Sequence, residues 1–203
     1  MSVTVRTPIE DKDLDALRAG DVAYLDGVLV TCRDSAHKRF LEKVAPLPIS
    51  LKGSAIFHAG PIVSKAEGVW RIVSIGPTTS MRMEAYEYDF IQRTGLKLII
   101  GKGGMGARTA EACRRFHAVH AVFPGGCAVV AADKVQRVEG VEWLDLGMPE
   151  ALWIMRVKGF GPLIVSIDTR GENLFDEKRR AVELRRLEAV QSLRDDLLKA
   201  GVG

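Results

Sequence analysis

Apolar positions in this chain fall mostly into short runs broken by glycine, proline or charged residues, the pattern of strands separated by turns. Two such runs organise the middle of the sequence. Residues 72–75 and 96–100 read as strands, and each ends at a glycine that introduces a polar cluster. The first is Gly76-Pro77-Thr78-Thr79-Ser80 followed by Arg82; the second is Lys102 set between glycines. Residues 81–94 between them have the length of a helix. In an open α/β sheet, neighbouring strand ends face one crevice, where ligands bind. The stretch 70–106 therefore predicts hydroxyls, a guanidinium and an ammonium gathered around an anion.

The rest of the pattern can be taken in order. Residues 3–7 alternate as a strand does, and Ile9, Leu14 and Leu17 predict a short helix ending at Gly20. Residues 21–30, apolar around Asp26-Gly27, predict a hairpin. Asp34 or Ser35 caps a helix reaching about Val44. Pro46, Pro48, Gly53 and Gly60-Pro61 punctuate the next section, with short strands at 55–57 and 62–63. A helix at 107–116 and a buried strand at 118–123 follow, and Pro124-Gly125-Gly126 turns into the small-residue segment 127–132. Residues 135–146, 152–157 and 163–167 are further strands. Over 175–199, Leu184, Leu187, Val190, Leu193 and Leu197 recur every three or four residues, marking an amphipathic helix. Strands and helices mix without strict alternation and without a linker. One α/β domain over 1–203 with a mixed sheet is expected, residues 174–203 forming a helical extension.

Composition narrows the function. With 47% hydrophobic and 27% charged residues the chain can bury a sizeable core. Its net charge of +3 is spread along the sequence, so no nucleic-acid partner is expected. Cys32, Cys113 and Cys127 are odd in number and far apart, which argues against disulfides and for a reducing compartment. No apolar run approaches the ~18 residues of a membrane span, and the first residues lack a signal core. A cytoplasmic protein with no membrane partner is expected.

GKGGMG contains G-x-G-x-x-G (Gly101, Gly103, Gly106) between a strand and a helix, as dinucleotide-binding folds do. The carboxylate such a site needs at the end of the next strand is missing, since that region reads AVFPGGC. The loop is not a Walker loop, because Ser or Thr does not follow the Gly-Lys pair at the required place. A nucleotide-binding oxidoreductase is the alternative reading of this loop, and a non-catalytic assembly subunit is another reading of the basic cluster. One hydroxyl suffices to cap the helix after Pro77; three in succession, with Arg82 a turn later, exceed that need. Arg33 and His37 share a helix face, which taken alone reads as a solvated basic helix start. His58, His117 and His120 lack metal-ligand spacing and read as structural. Cys127 reads as a small buried residue or a thiol at a helix start, and Asp168 as a turn or cap.

Taken together, TCRDSAHKRF, IFHAGPIV, GPTTSMRME, GKGGM, the Gly-Gly-Cys-Ala turn and SIDTRGENLF occur in the order found in one family, across most of residues 20–176. On these motifs the chain resembles the β subunits of iron–sulfur-dependent fumarate hydratases and L-tartrate dehydratases, whose counterpart in single-chain fumarases is the C-terminal domain. The resemblance implies a swivelling β/β/α domain in place of a doubly wound sheet. It implies a hydro-lyase of C4 dicarboxylates, fumarate/malate first and L-tartrate to oxaloacetate next, active only with an α subunit. That subunit would carry a [4Fe–4S] cluster, with no cluster ligand from this chain. Position by position it implies Thr78 as catalytic base, with Arg33, Thr79, Arg82 and Lys102 binding substrate. A hetero-oligomer is expected, or a homodimer in isolation.

Overall fold

The computed structural model describes residues 2–42 and 46–199. In chain order the elements are β1 (Ser2–Arg6), α1 (Asp11–Leu14), β2 (Val22–Thr31), α2 (Asp34–Glu42), β3 (Ala55–Phe57), β4 (Ala59–Ala66) and β5 (Val69–Pro77). A 3₁₀ turn, Ser80–Met83, leads into α3 (Glu84–Thr94), followed by β6 (Leu98–Gly101), α4 (Ala107–Phe116), β7 (Val119–Val122) and α5 (Ala128–Asp133). The chain continues through β8 (Val135–Glu142), β9 (Leu152–Ile167) and α6 (Leu174–Lys199).

Seven strands form one mixed sheet in the order β1-β2-β3-β6-β7-β9-β8, and β2 also pairs with β9. The circuit β2-β3-β6-β7-β9 therefore closes on itself. The first four of these run parallel, and β9 is antiparallel to β2, β7 and β8. Strand alternation sends Ala55, Phe57, Leu98, Ile100, Val119 and Ala121 inward, where they meet Leu25, Leu29, Trp153, Met155 and Phe160. Ile56 and Ile99 point outward, beneath Phe90 and Ile91 of α3 and Ala112 and Cys113 of α4. Burial on both faces explains why these strands read as unbroken apolar runs. The separate hairpin β4–β5 lays Val63, Trp70 and Ile72 over the inner core, with Trp70 edge-on to Trp153 at 5.2 Å. Sheet, hairpin and helices are the β/β/α layers that the resemblance implies.

Several expectations are corrected. Residues 21–30 are no hairpin: Asp26-Gly27 lies inside β2 as a bulge, because β2 is paired on both sides, with β1 and β9. Asp26 accepts the Gly159 N–H at 2.7 Å, and a Cβ on Gly27 (φ 111°) would overlap Thr7 Oγ1. The two strands expected within 152–167 are one sixteen-residue strand. The helix expected before Gly20 is the single turn α1, although Ile9, Leu14 and Leu17 are all buried. α2 is described to Glu42, and its expected end at Val44 lies outside the described residues. Strand β5 belongs to the hairpin and is not a neighbour of β6 in the main sheet. Along α6, Leu184, Leu187, Val190 and Leu193 are exposed, so the apolar stripe is real but is not packed on this domain.

Candidate functional site

The two polar clusters meet despite lying after strands of different sheets. Thr78 donates its N–H to the His58 carbonyl at 2.6 Å, and Lys102 donates to the Thr78 carbonyl at 3.1 Å. Ser80 donates in turn to the Lys102 carbonyl at 3.0 Å, making Thr79 and Lys102 an isolated parallel bridge. Thr78-Thr79-Ser80 thus runs as a short extra strand between the residues following β3 and those following β6. Gly101 allows the close approach, since any Cβ there would overlap Ser80 Oγ.

Side chains complete the cluster. Arg82, on the 3₁₀ turn, forms a forked pair with Asp34 at the start of α2: Nε to Oδ1 at 2.9 Å and Nη2 to Oδ2 at 2.7 Å. Its remaining nitrogen, Nη1, is 3.4 Å from Thr78 Oγ1. Beside Asp34, Arg33 Nε lies 3.3 Å from Glu150 Oε1, and the other Glu150 oxygen accepts the Ser35 N–H at 2.9 Å. Arg33 packs so closely on Gly60 that a Cβ there would stand 2.6 Å from Nη1. The Lys102 side chain passes over Gly125, and among the described residues its ammonium has no ion pair. Thr78, Thr79, Arg82 and Lys102 therefore form one connected set after β5 and β6, and Arg33, after β2, adjoins it only as the chain neighbour of Asp34, which holds Arg82.

The GKGGMG loop has a different job from the one its spacing suggests. The amides opening α4 already hold an anion, the Glu84 carboxylate. Gly106, Arg108 and Thr109 donate N–H bonds to it at 2.7, 3.1 and 3.4 Å, and the Thr109 hydroxyl adds one at 2.7 Å. A Cβ on Gly106 would stand 2.5 Å from Glu84 Oε1, and Phe175 covers Gly104. The amides that would cradle a pyrophosphate are thus taken, which removes the structural basis of the nucleotide reading. Glu84→Ala is expected to cost about 1–3 kcal/mol, the penalty of leaving such donors unpaired, without creating nucleotide affinity. Thermal unfolding and calorimetry with NAD and ATP check both halves.

One histidine is not what the sequence suggested. His37, expected on a solvated helix face, is fully buried, as are His58 and Glu87. Their ligand atoms converge: Glu87 Oε2 is 3.5 Å from His37 Nε2 and 3.3 Å from His58 Nε2. Burial pushes the Glu87 carboxyl up, but His58 and His37 outweigh it and hold it far below the usual carboxylate range. Burial likewise opposes charge on His37, yet Cys32 and Glu87 together raise it well above an ordinary histidine. His58 stays lowered, chiefly by burial. The missed signal was Glu87 itself. Met83, Glu87, Phe90 and Ile91 are the buried side of the turn and helix, so a carboxylate occupies an apolar stripe and needs a partner. His120 bonds Ser166 Oγ at 2.5 Å, and Asp168 accepts N–H bonds from Arg170 and Glu172, both structural roles as expected.

The fold is a β/β/α domain with a threonine and three basic residues following β2, β5 and β6, and comparison with known proteins gives its family. The family model described as "Fumarase C-terminus" matches residues 1–178. L(+)-tartrate dehydratase subunit beta of Escherichia coli K12 is 55% identical over 193 residues, covering 95% of this chain and 96% of that protein. A Methanocaldococcus jannaschii protein, provisionally named L(+)-tartrate dehydratase subunit beta, is 44% identical over 175 residues, or 84% of this chain and 90% of its own. A Geobacillus stearothermophilus protein provisionally named fumarate hydratase class I is 38% identical over 176 residues, 86% of this chain but only 34% of its own. The chain belongs to the fumarase C-terminus family.

Proposed function

We propose that this chain is the β subunit of an iron–sulfur-dependent hydro-lyase for a C4 hydroxy-dicarboxylate, and that L-tartrate is its substrate in preference to malate. The relatives it matches from end to end carry the tartrate dehydratase name, whereas the fumarate hydratase relative is matched over a third of its length. The observation that carries the reading is the connected set of Thr78, Arg82 and Lys102, with Arg33 next in sequence to the Asp34 that holds Arg82.

In this reading the basic side chains bind and orient a carboxylate, and Thr78 Oγ1 takes the proton from the carbon beside it. Charge then builds on that carboxylate, and cations already fixed by Asp34 and Glu150 stabilise it without having to reorganise. A hydroxyl is a weak base until its own proton has left, and here that proton would pass to solvent before substrate binds. The guanidinium nitrogen 3.4 Å from Thr78 Oγ1 favours the deprotonated oxygen, and the proton taken from carbon restores the hydroxyl. The iron–sulfur cluster implied by the resemblance does not fit this chain's own residues. Cys32 and Cys113 are buried, and with Cys127 they fall after β2, on α4 and before α5, so that no three-thiolate set forms among the described residues. The partner α subunit is therefore assigned the cluster. No helix among the described residues is long and apolar enough to cross a membrane.

The test is turnover by the complex with its α subunit, purified without oxygen, on L-tartrate, malate and fumarate. Arg82→Ala and Lys102→Ala are each expected to raise KM ~10–100-fold, matching the roughly 1.5–3 kcal/mol of a hydrogen bond to a charged group. Unchanged kinetics in both variants would remove these residues from the site.

A further inference from the structure

The buried trio His37, Glu87 and His58 touches both halves of the site from behind. His37 Nδ1 donates to the Arg33 carbonyl at 2.8 Å, so it is tied to the backbone of the first clamp residue. His58 grips the catalytic tripeptide at both ends: its carbonyl accepts the Thr78 N–H at 2.6 Å, and its Nδ1 meets Ser80 Oγ at 3.1 Å. Glu87 stands between the two rings, within 3.5 Å of each Nε2. These are ion-pair distances and not hydrogen bonds: neither oxygen of Glu87, and neither Nε2, has a hydrogen-bond partner among the described residues.

These contacts fix the protons. His37 spends its Nδ1–H on a carbonyl, so a neutral ring would aim a lone pair at the Glu87 carboxylate; the ring must carry its second proton. His58 accepts the Ser80 O–H at Nδ1 and turns an Nε2–H toward Glu87. One carboxylate and one imidazolium then leave a dry core with no net charge, whereas a divalent cation in the same place would leave an excess positive charge. Cys32 and Asp34 on the α2 side, Cys113 on α4 and His120 on the β7 side are the other titratable groups facing the trio among the described residues.

We propose that Glu87 is a positioning residue which, through His37 and His58, sets the Arg33 clamp and the Thr78–Ser80 strand relative to each other. The proposal rests on the site reading above, and it divides the labour. The His37 arm governs how well the carboxylate is held, and the His58 arm governs where the base oxygen sits.

Two measurements test it. The first needs no activity: ¹⁵N histidine spectra of the full chain at pH 7.5. Doubly protonated His37 and His58 protonated at Nε2 are expected, with both signatures lost in Glu87→Gln; two neutral rings, or one equivalent of a divalent metal copurifying with wild type and absent from Glu87→Gln, would overturn it. The second is kinetics of the assembled enzyme. His37→Gln should raise KM about tenfold with kcat kept, whereas His58→Gln should lower kcat ~10²-fold with KM kept. His58→Asn, whose amide reaches Ser80 where Nδ1 does, should recover part of that kcat. A parallel loss of kcat in all variants, in step with loss of assembled protein, would reduce the trio to core packing. A wild-type complex inert toward dicarboxylates would instead fail the site reading, while the spectra would still decide the trio.

Discussion

Thr78→Ala in the assembled enzyme is expected to lower kcat about 10²–10⁴-fold, the usual contribution of a positioned base, while KM moves only a few-fold. Nothing that holds the substrate depends on the hydroxyl. The Arg82–Asp34 fork stays closed, Lys102 keeps its backbone bonds to Thr78 and Ser80, and the Thr78 N–H still reaches His58. Thr78→Ser should restore much of the rate, because Oγ keeps its place beside Arg82 Nη1. Steady-state kinetics on L-tartrate, with assembly checked by size exclusion, decides the matter. A non-catalytic assembly subunit predicts full activity in Thr78→Ala, and retention of rate would favour that reading over ours.

What could be read from the sequence was whatever a local pattern specifies. Residues 55–57 and 107–116 were placed at their observed bounds, because a doubly buried strand and a helix with an apolar face announce themselves. Asp26-Gly27 misled because a turn signal reports backbone freedom, and only the pairing of β2 on both edges decides whether that freedom makes a turn or a bulge. The break expected between 157 and 163 failed similarly, since β9 continues past Gly159 and Gly161. The hydroxyl and basic clusters of the candidate site stand out by their chemistry, although the layout expected for them is not the one observed. β5 and β6 are not sheet neighbours, and it is the Thr79–Lys102 bridge that joins their ends. Of the buried trio only Glu87 leaves a trace in the sequence, a carboxylate within an apolar stripe. The trio's members come from α2, the turn after β3, and α3, and no spacing rule links positions 37, 58 and 87.

Gly101→Ala carries the other large expectation, because one methyl group there strikes the seam on which the site is built. Its Cβ would overlap Ser80 Oγ and stand 3.1 Å from His58 Nδ1, with no open space to move into since Ser80 and His58 are both fully buried. Relief requires Ser80 to withdraw, which loosens the Ser80–Lys102 and Lys102–Thr78 backbone bonds together. Overpacking of this kind costs about 1–3 kcal/mol, which thermal unfolding of the isolated chain would report as a lowered Tm. Activity should suffer more than stability: a displacement of about 1 Å at the reacting groups is enough for a ~10²-fold loss of rate. Gly125→Ala separates the two effects. Its Cβ would meet only the flexible Lys102 side chain, at 3.3 Å, so the fold should hold while KM rises modestly. If Gly101→Ala kept wild-type kcat at a temperature where it is folded, the Thr78–Ser80 strand would not be the element that places the base.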